Sequence, residues 1–267
     1  MAIERLRLFV EGVGRRTVQL VQECGYLAAL LAEALYWLAV GRWRRQPVRM
    51  AAVFKEAMGV GVQAIPIVGL ASFATGMMLA IQGIHTLRTF GAEGQVVLGI
   101  ALSVTREFAP LITGIFVAGR SGSAIAARIG TMQISQEIDA LSVIGINPVR
   151  YLVSPILAAM LLTLPALTIL SDLLALFGGA LYCAGELSLP MDVFFHRTFE
   201  AVEAGDVIQG VAKSFVFAVV VTLIGAANGF GVSAGAEGVG KATTRAVVLG
   251  CIGIILADMV FTFLASR

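Results

Sequence analysis

The sequence predicts an all-α integral membrane protein, and its composition, hydropathy and apolar runs support this fold class. Apolar residues make up 58% of the 267 positions and charged residues only 13%, which is about half the charged share of a soluble domain. The mean hydropathy is +0.90. Several apolar runs reach the roughly 20 residues that a helix needs to cross the bilayer core. Most of the surface is therefore expected to face lipid.

Five of these runs are predicted to be transmembrane helices. They cover residues 60–84, 96–118, 151–178, 208–230 and 245–265. Prolines and glycines inside them are compatible with this prediction, because neighbouring helices can satisfy the backbone groups that these residues leave unpaired. Together with their loops, the five helices form one predicted membrane domain over residues 46–267.

Residues 1–45 form a separate N-terminal region in this prediction. Within residues 1–23 the apolar and charged positions fall on opposite sides of a helix, which is typical of an amphipathic helix lying in the membrane interface. Residues 24–40 are apolar except for Glu33, and arginines flank them on both sides. Because a spanning helix usually has a basic flank on one side only, we favour a membrane-embedded helix that does not cross over a sixth span.

The distribution of basic residues predicts the orientation. With a cytoplasmic N-terminus, fourteen Lys and Arg residues fall on the cytoplasmic side, four fall on the other side, and Arg106 lies inside a span. Cytoplasmic loops of membrane proteins carry such an excess. The predicted topology therefore has the N-terminus inside and, after five crossings, the C-terminus outside.

Patterns that indicate catalysis or metal binding are incomplete. Cys24, Cys183 and Cys251 are far apart and the sequence has only two histidines, so we expect neither a redox site nor a metal site. Residues 235–241 match the first seven positions of a Walker A loop, but Ala242 stands where the magnesium-binding hydroxyl belongs. We expect a flexible loop between two spans there. We predict no catalytic residue, no cofactor bound by this chain and no nucleic-acid partner.

Charged residues inside the predicted spans are candidates for a binding site. Arg106 and Glu107 lie about ten residues, or about 15 Å, into the second span, where an ionisable group is usually paired or faces a polar cavity. Lys213 and Asp258 lie at matching depths in the fourth and fifth spans and are expected to pair, although Lys213 is also long enough to snorkel to the interface. Asp172, near the outer end of the third span, completes a predicted polar belt.

The longest cytoplasmic connection, residues 119–150, contains a second candidate site. We predict a helix over residues 121–141, with apolar residues on one narrow arc and polar residues on the other sides. A short amphipathic helix of this kind can dock in the groove of a soluble partner. The alternative is a helix lying on lipid headgroups, which its acidic residues disfavour because anionic lipids repel them. The candidate contact residues are Ile134, Gln136, Glu137, Ile138, Asp139 and Leu141.

Several short stretches in a fixed order resemble a known family. They are residues 106–110 (REFAP), 118–124 (AGRSGSA) and 136–141 (QEIDAL), the Asn-Pro step at 147–148, the Ser-Pro step at 154–155, and residues 228–229 and 242–245. Over about residues 50–265, without large gaps, the chain is similar to the MlaE/YrbE permeases, the membrane subunits of Mce-associated lipid ABC transporters.

This resemblance implies a homodimeric permease for phospholipids or related lipids in the bacterial inner membrane. It implies a separate cytoplasmic ATPase that binds ATP, a periplasmic Mce-domain lipid-binding partner, and a coupling helix within residues 121–141 that docks into the ATPase. It also implies a role in maintaining the lipid asymmetry of the outer membrane.

Two other functional classes stay open at this point. One is an ion-coupled secondary transporter that uses Glu107 and Asp258, although the inverted repeats usual in such folds are not found in the sequence. The other is a structural membrane scaffold that moves nothing, which charged residues inside the spans disfavour.

Overall fold

The computed structural model describes residues 2–41, 48–233 and 235–265, without the side chains of residues 2–13, 15, 16 and 20. These described residues form helices and turns and contain no β-strand, which confirms the predicted all-α fold. The α-helices, in chain order, are α1 (Ala2–Val40), α2 (Met50–Val60), α3 (Ile65–Arg88), α4 (Val96–Ser103), α5 (Ala109–Val117), α6 (Ser123–Ile134), α7 (Glu137–Val143), α8 (Ser154–Glu186), α9 (Met191–Ala201), α10 (Ala204–Phe230) and α11 (Gly235–Ala265).

Helical runs that are long and apolar enough to cross a membrane confirm that the protein is integral to it. Five of them contain the five predicted spans: Met50–Arg88, Glu93–Ile134, Val149–Glu186, Ala204–Phe230 and Gly235–Ala265. All five are longer than predicted. Val149–Glu186, for example, has 38 residues, or about 57 Å at 1.5 Å per residue, against a hydrocarbon core of about 30 Å.

The N-terminal region is a single helix. α1 runs without a break through the boundary between the predicted amphipathic and embedded segments, and its part Thr17–Val40 is a sixth run with the length and composition of a span. Most side chains of the amphipathic pattern over residues 1–23 lie outside the described residues, and so do Arg42, Arg44 and Arg45. The placement of residues 24–40 in the membrane without crossing stays a prediction.

The bundle has two ends that differ in their loops. The C-termini of α3 and α8 meet at one end, where Arg88 lies 3.1 Å from Glu186, and α9 and the C-terminus of α11 belong to this end. We call it the α9 end. The opposite end, which we call the α7 end, carries α2, α6, α7 and the connection from α10 to α11.

Close packing of α3 against α8 forms the middle of the bundle. A Cβ atom added to Gly76 would come within 1.8 Å of the backbone oxygen of Ala175, so only glycine allows this approach. Beside the contact, the Ser72 and Ser171 hydroxyls are 2.6 Å apart and hydrogen-bonded. Small residues that let two backbones approach are typical of helix pairs in membranes.

Three π-helical turns interrupt the long helices. They are Val104–Phe108, Ala118–Gly122 and Val149–Val153. The first and third end shortly before Pro110 and Pro155, because a proline ring clashes with the carbonyl four residues earlier and its nitrogen cannot donate a hydrogen bond. Each turn re-aims the side chains within it.

The segment predicted as one helix over residues 121–141 is divided in the structure. α6 continues the preceding membrane helix as far as Ile134, and α7 begins separately at Glu137. Gln136 between them has a left-handed backbone with φ of 59°, a conformation that cannot continue a right-handed helix. The short helix at the α7 end is therefore α7 alone.

Candidate functional site

A buried lysine and two carboxylates form an ionic cluster inside the bundle. The Lys213 side chain is fully buried. Its Nζ atom donates hydrogen bonds to Glu107 Oε2 at 2.5 Å and to Thr262 Oγ1 at 2.8 Å. Asp258 Oδ1 lies 2.9 Å from the same Nζ atom, as an ion pair and not as a well-aligned hydrogen bond. The ammonium group is thus surrounded by oxygen atoms of Glu107, Thr262 and Asp258, and the two carboxylates compensate its charge in the apolar interior.

The π-turn Val104–Phe108 and a close helix approach bring these groups together. The turn carries Glu107 towards α10. There, Gly210 packs so tightly against it that a Cβ atom would lie 2.4 Å from the Thr105 backbone oxygen. Lys213 follows Gly210 by one helical turn and therefore faces the same contact. Glycine at position 210 is thus a condition for the ion pair.

α11 supplies the other side of the cluster. Asp258 and Thr262 are four residues apart, so they lie on the same face of this helix. The Thr262 hydroxyl accepts the hydrogen bond from Lys213 and donates one to Glu107 Oε1 at 3.1 Å. The threonine thereby links the cation and one carboxylate, and it fixes the Glu107 side chain.

A second ion pair lies next to the cluster at the α9 end. Arg106 Nε donates to Asp206 Oδ1 at 2.7 Å, and the other oxygen of Asp206 accepts from the Glu203 backbone nitrogen at 3.0 Å. Asp206 and Glu203 form a capping box at the start of α10, which satisfies backbone donors that would otherwise lack partners. Arg106 is thus tied to the first turn of the helix that carries Lys213.

The charged side chains of the cluster and of the second pair differ in how far the protein covers them. The Arg106 side chain is 46% exposed and that of Glu107 is 33% exposed, whereas Lys213 and Asp258 are 0% and 14% exposed. Since a guanidinium group has five N–H donors, Arg106 retains donors for another group. The cluster and the second pair together therefore present one open cation, Arg106, and one open carboxylate, Glu107, with the buried ammonium group of Lys213 behind them.

Asp172 is not part of this arrangement. It is buried in α8, and its Oδ1 atom has no hydrogen-bond partner among the described residues. The structure thus brings three of the five predicted intramembrane charges into one cluster, pairs Arg106 beside it with Asp206, and leaves the fifth apart. The belt predicted from depth alone is, as built, a cluster of α10 and α11 with the π-turn Val104–Phe108.

The six residues predicted to contact a soluble partner lie in different environments. Ile138 is buried and Leu141 is half-buried, so Ile138 anchors α7 to the bundle. Ile134, Gln136, Glu137 and Asp139 are exposed. Val143 and Ile144, which the sequence prediction did not include, are 86% and 68% exposed at the end of α7. Exposed aliphatic side chains beside an acidic helix start suit a docking surface.

Other chemistry is not indicated in the described part of the chain. It contains no group of three or more His, Cys, Asp or Glu residues that could hold a metal ion. The Walker-like stretch 235–241 forms the first turns of α11, so the predicted flexible loop is wrong there. Lys241 pairs there with Glu237 at 2.7 Å, four residues earlier on the same helix.

The fold and the site define a polytopic membrane protein with a compensated charge cluster inside its helical bundle, which is the architecture of a membrane transport subunit. The permease MlaE family model matches residues 53–264. The chain belongs to this family of permeases.

Curated relatives resemble the chain over most of its length. A probable ABC transporter permease protein of Rickettsia bellii is 33% identical over 94% of this chain and 95% of its own. The intermembrane phospholipid transport system permease protein MlaE of Haemophilus influenzae is 29% identical over 95% of this chain and 96% of its own. The chloroplastic protein TRIGALACTOSYLDIACYLGLYCEROL 1 of Arabidopsis thaliana is 34% identical over 82% of this chain and 61% of its own.

Proposed function

We propose that this permease moves phospholipids or related lipids between the inner membrane and a periplasmic Mce-domain partner, and so helps to maintain the lipid asymmetry of the outer membrane. The observation that carries the proposal is a half-open group of charges within an apolar bundle: the ionic cluster of Glu107, Lys213 and Asp258 together with the neighbouring Arg106. We call these four residues the charge cluster. A relative also supports the proposal, because the Haemophilus influenzae protein is named as an intermembrane phospholipid transport system permease protein.

The cluster has the chemistry that a lipid headgroup needs. Arg106 can donate to phosphate oxygens, and the exposed oxygens of Glu107 can accept from hydroxyl or ammonium groups of a headgroup. Apolar side chains around the cluster suit acyl chains. Asp172, buried and apart, would act on the lipid only through a rearrangement of α8, so we assign it no headgroup contact.

The energy for transport would come from a separate ATPase that docks at the α7 end. Val143 and Ile144 would fill an apolar groove of that partner, and Glu137 and Asp139 would meet basic residues at its rim. Because Ile138 fixes α7 to the bundle, a movement of the ATPase would be passed to α6 and α8. α8 follows the π-turn Val149–Val153, and α6 follows the π-turn Ala118–Gly122. Through α5, the latter is joined to the π-turn that carries Glu107.

We further propose a homodimer in which one copy packs against α11 of the other. In the apolar part of α11, only 11% of the residues are buried inside the chain. The exposed side of this helix carries large apolar side chains, among them Leu256, Met259 and Val260. A second copy would cover this face beside the cluster.

The orientation follows the distribution of basic residues. We propose that the α7 end faces the cytoplasm, because the loops at this end and the N-terminal region carry the excess of Lys and Arg. The α9 end then faces the periplasm, where the segment between α8 and α10 is acidic and can meet the Mce-domain partner.

Transfer of labelled phospholipid by the complete complex, reconstituted in liposomes, tests the site. Glu107→Ala and Lys213→Ala are expected to reduce transfer by at least an order of magnitude, while Arg88→Ala, which breaks an exposed pair at the α9 end, leaves it unchanged. Wild-type transfer in both cluster variants would refute a lipid role for the cluster. Transfer that follows an imposed ion gradient and needs no ATP would instead support the ion-coupled class.

Co-purification of the ATPase tests the coupling surface. Glu137→Lys and Asp139→Lys are expected to lose the ATPase subunit, because they reverse the charge beside Val143 and Ile144. Asp192→Lys is the matched control, since Asp192 lies in the first turn of the short helix α9 at the opposite end. A complete complex with unchanged ATPase activity in the α7 variants would refute the docking assignment.

A further inference from the structure

A cavity separate from the charge cluster lies at the α7 end, between α1 and the α10–α11 connection. Its volume is about 910 Å³, within the roughly 300–1,000 Å³ of small-molecule sites. Asn228, Lys241 and Arg245 line its polar part, and Leu27, Leu249 and Ile252 line its apolar part. The lining is thus divided between polar and apolar groups, as an amphiphile requires.

The depth of these residues matches the layers of a membrane. α11 has 31 residues and is about 46 Å long, whereas about 20 residues are enough to cross the hydrocarbon core. Counted back from Ala265, about 20 residues reach Ala246. Lys241 and Arg245 therefore lie at the headgroup level, and Leu249 and Ile252 lie among the acyl chains.

The charges of the cavity favour an anion. Its lining contains two cations, Lys241 and Arg245, and one carboxylate, Glu23, so the cations outnumber the acidic groups that face the cavity. Arg245 Nη2 donates to Glu23 Oε1 at 2.6 Å, and Lys241 pairs with Glu237. All four side chains of these pairs are more than half exposed, so the pairs are weak. Arg245 keeps further N–H donors for a phosphate.

We propose that this cavity binds one anionic phospholipid of the cytoplasmic leaflet. The phosphate is held by Lys241 and Arg245, and an acyl chain lies against Leu249 and Ile252. Such a lipid joins α1 to the α10–α11 connection. The assignment to the cytoplasmic leaflet rests on the orientation proposed above, while the preference for an anionic amphiphile rests only on the cavity.

Cys24 offers a reporter for occupancy, because it is exposed and lines the cavity. Cys183 is buried, and replacing Cys251 by serine leaves Cys24 as the accessible thiol among the described cysteines. The full-length Cys251→Ser protein is placed in nanodiscs of phosphatidylcholine, with or without phosphatidylglycerol of the same acyl chains. The rate of Cys24 alkylation by N-ethylmaleimide is then measured.

We expect phosphatidylglycerol to slow the alkylation about fivefold, which is the factor by which a single Lys or Arg near a membrane surface favours anionic lipid. Lys241→Gln/Arg245→Gln is expected to abolish the effect, and the charge-conserving Lys241→Arg/Arg245→Lys to retain it. Arg128→Gln, which breaks a comparable pair with Glu56 at the same end but outside the cavity, is the matched control and keeps the effect.

Three results would overturn the proposal. Equal rates in both lipid compositions would exclude a preference for anionic lipid. Protection by sodium phosphate in phosphatidylcholine nanodiscs would indicate a site for the free anion. Protection that depends on the number of protein copies per disc, and not on phosphatidylglycerol, would indicate that a second copy fills the cavity.

The test is independent of transport. Glu107 and Lys213 do not line this cavity, so Glu107→Ala and Lys213→Ala leave Cys24 alkylation unchanged whether or not they stop lipid transfer. Failure of the transport proposal and failure of the cavity proposal are therefore distinguishable.

Discussion

Replacement of Lys213 by methionine removes the ammonium group that Glu107 and Asp258 share and keeps a side chain of similar shape. Removing one partner of a buried ion pair costs about 3–5 kcal/mol, because the remaining charge is left uncompensated. Asp258 is 14% exposed and Glu107 33% exposed, so the protein covers Glu107 only in part and the lower end of this range applies. We expect Lys213→Met to lower the free energy of unfolding by about 3 kcal/mol.

The triple variant Lys213→Met/Glu107→Gln/Asp258→Asn tests whether the uncompensated charges cause the loss of stability. It removes all three charges, so most of the lost stability returns, as expected when a buried ion pair is replaced by neutral residues. Lipid transfer does not return, because the open carboxylate of Glu107 is gone. We therefore expect this variant to be nearly as stable as the wild-type protein but inactive in lipid transfer.

The assay is equilibrium unfolding of the purified permease in mixed micelles, followed by circular dichroism, with liposome transfer measured in parallel. Arg88→Met serves as the control, since Arg88 belongs to exposed pairs that contribute little to stability. A loss below about 1 kcal/mol for Lys213→Met, or a triple variant no more stable than the single one, would refute the charge-compensation argument.

Two further predictions concern close helix contacts. Gly76→Ala would drive its Cβ atom into the Ala175 backbone oxygen, 1.8 Å away, and is expected to destabilise the protein by about 3 kcal/mol in the same unfolding assay. Gly210→Ala would push α10 away from the Thr105 oxygen, 2.4 Å from the new Cβ atom, and is expected to reduce both stability and lipid transfer. Gly99→Ala, with no neighbouring atom within 4 Å, is the control and should be neutral or slightly stabilising; equal losses in all three variants would contradict both predictions.

The fold class could be predicted from the sequence because the constraint is local. A helix satisfies its own backbone hydrogen bonds, so each apolar run of sufficient length indicates a membrane helix without knowledge of its neighbours. The same locality explains why helix ends were predicted less well. The extension of the second span through α6 to Ile134 and the break at Gln136 depend on packing and on a single left-handed residue.

Part of the charge cluster could also be predicted, and part could not. Lys213 and Asp258 lie at equal depths in adjacent helices, which depth counting along the sequence reveals. Thr262 lies four residues after Asp258, so helical spacing was a usable signal that the sequence analysis did not use. Asp206 gave a weaker signal, because its role as a partner of Arg106 depends on how α10 begins.

What the sequence by itself determined is which segments are apolar and long enough to cross the membrane, since hydropathy is a property of each segment. What only the tertiary structure decided is which charges meet. Glu107 reaches Lys213 because the π-turn before Pro110 rotates its side chain and because Gly210 lets α10 approach this turn. Neither this rotation nor this helix approach can be read from a periodic pattern in the sequence. Asp172, at a similar depth, stays apart for the same reason: pairing in a bundle is set by the rotation and contact of helices, and depth alone does not fix either.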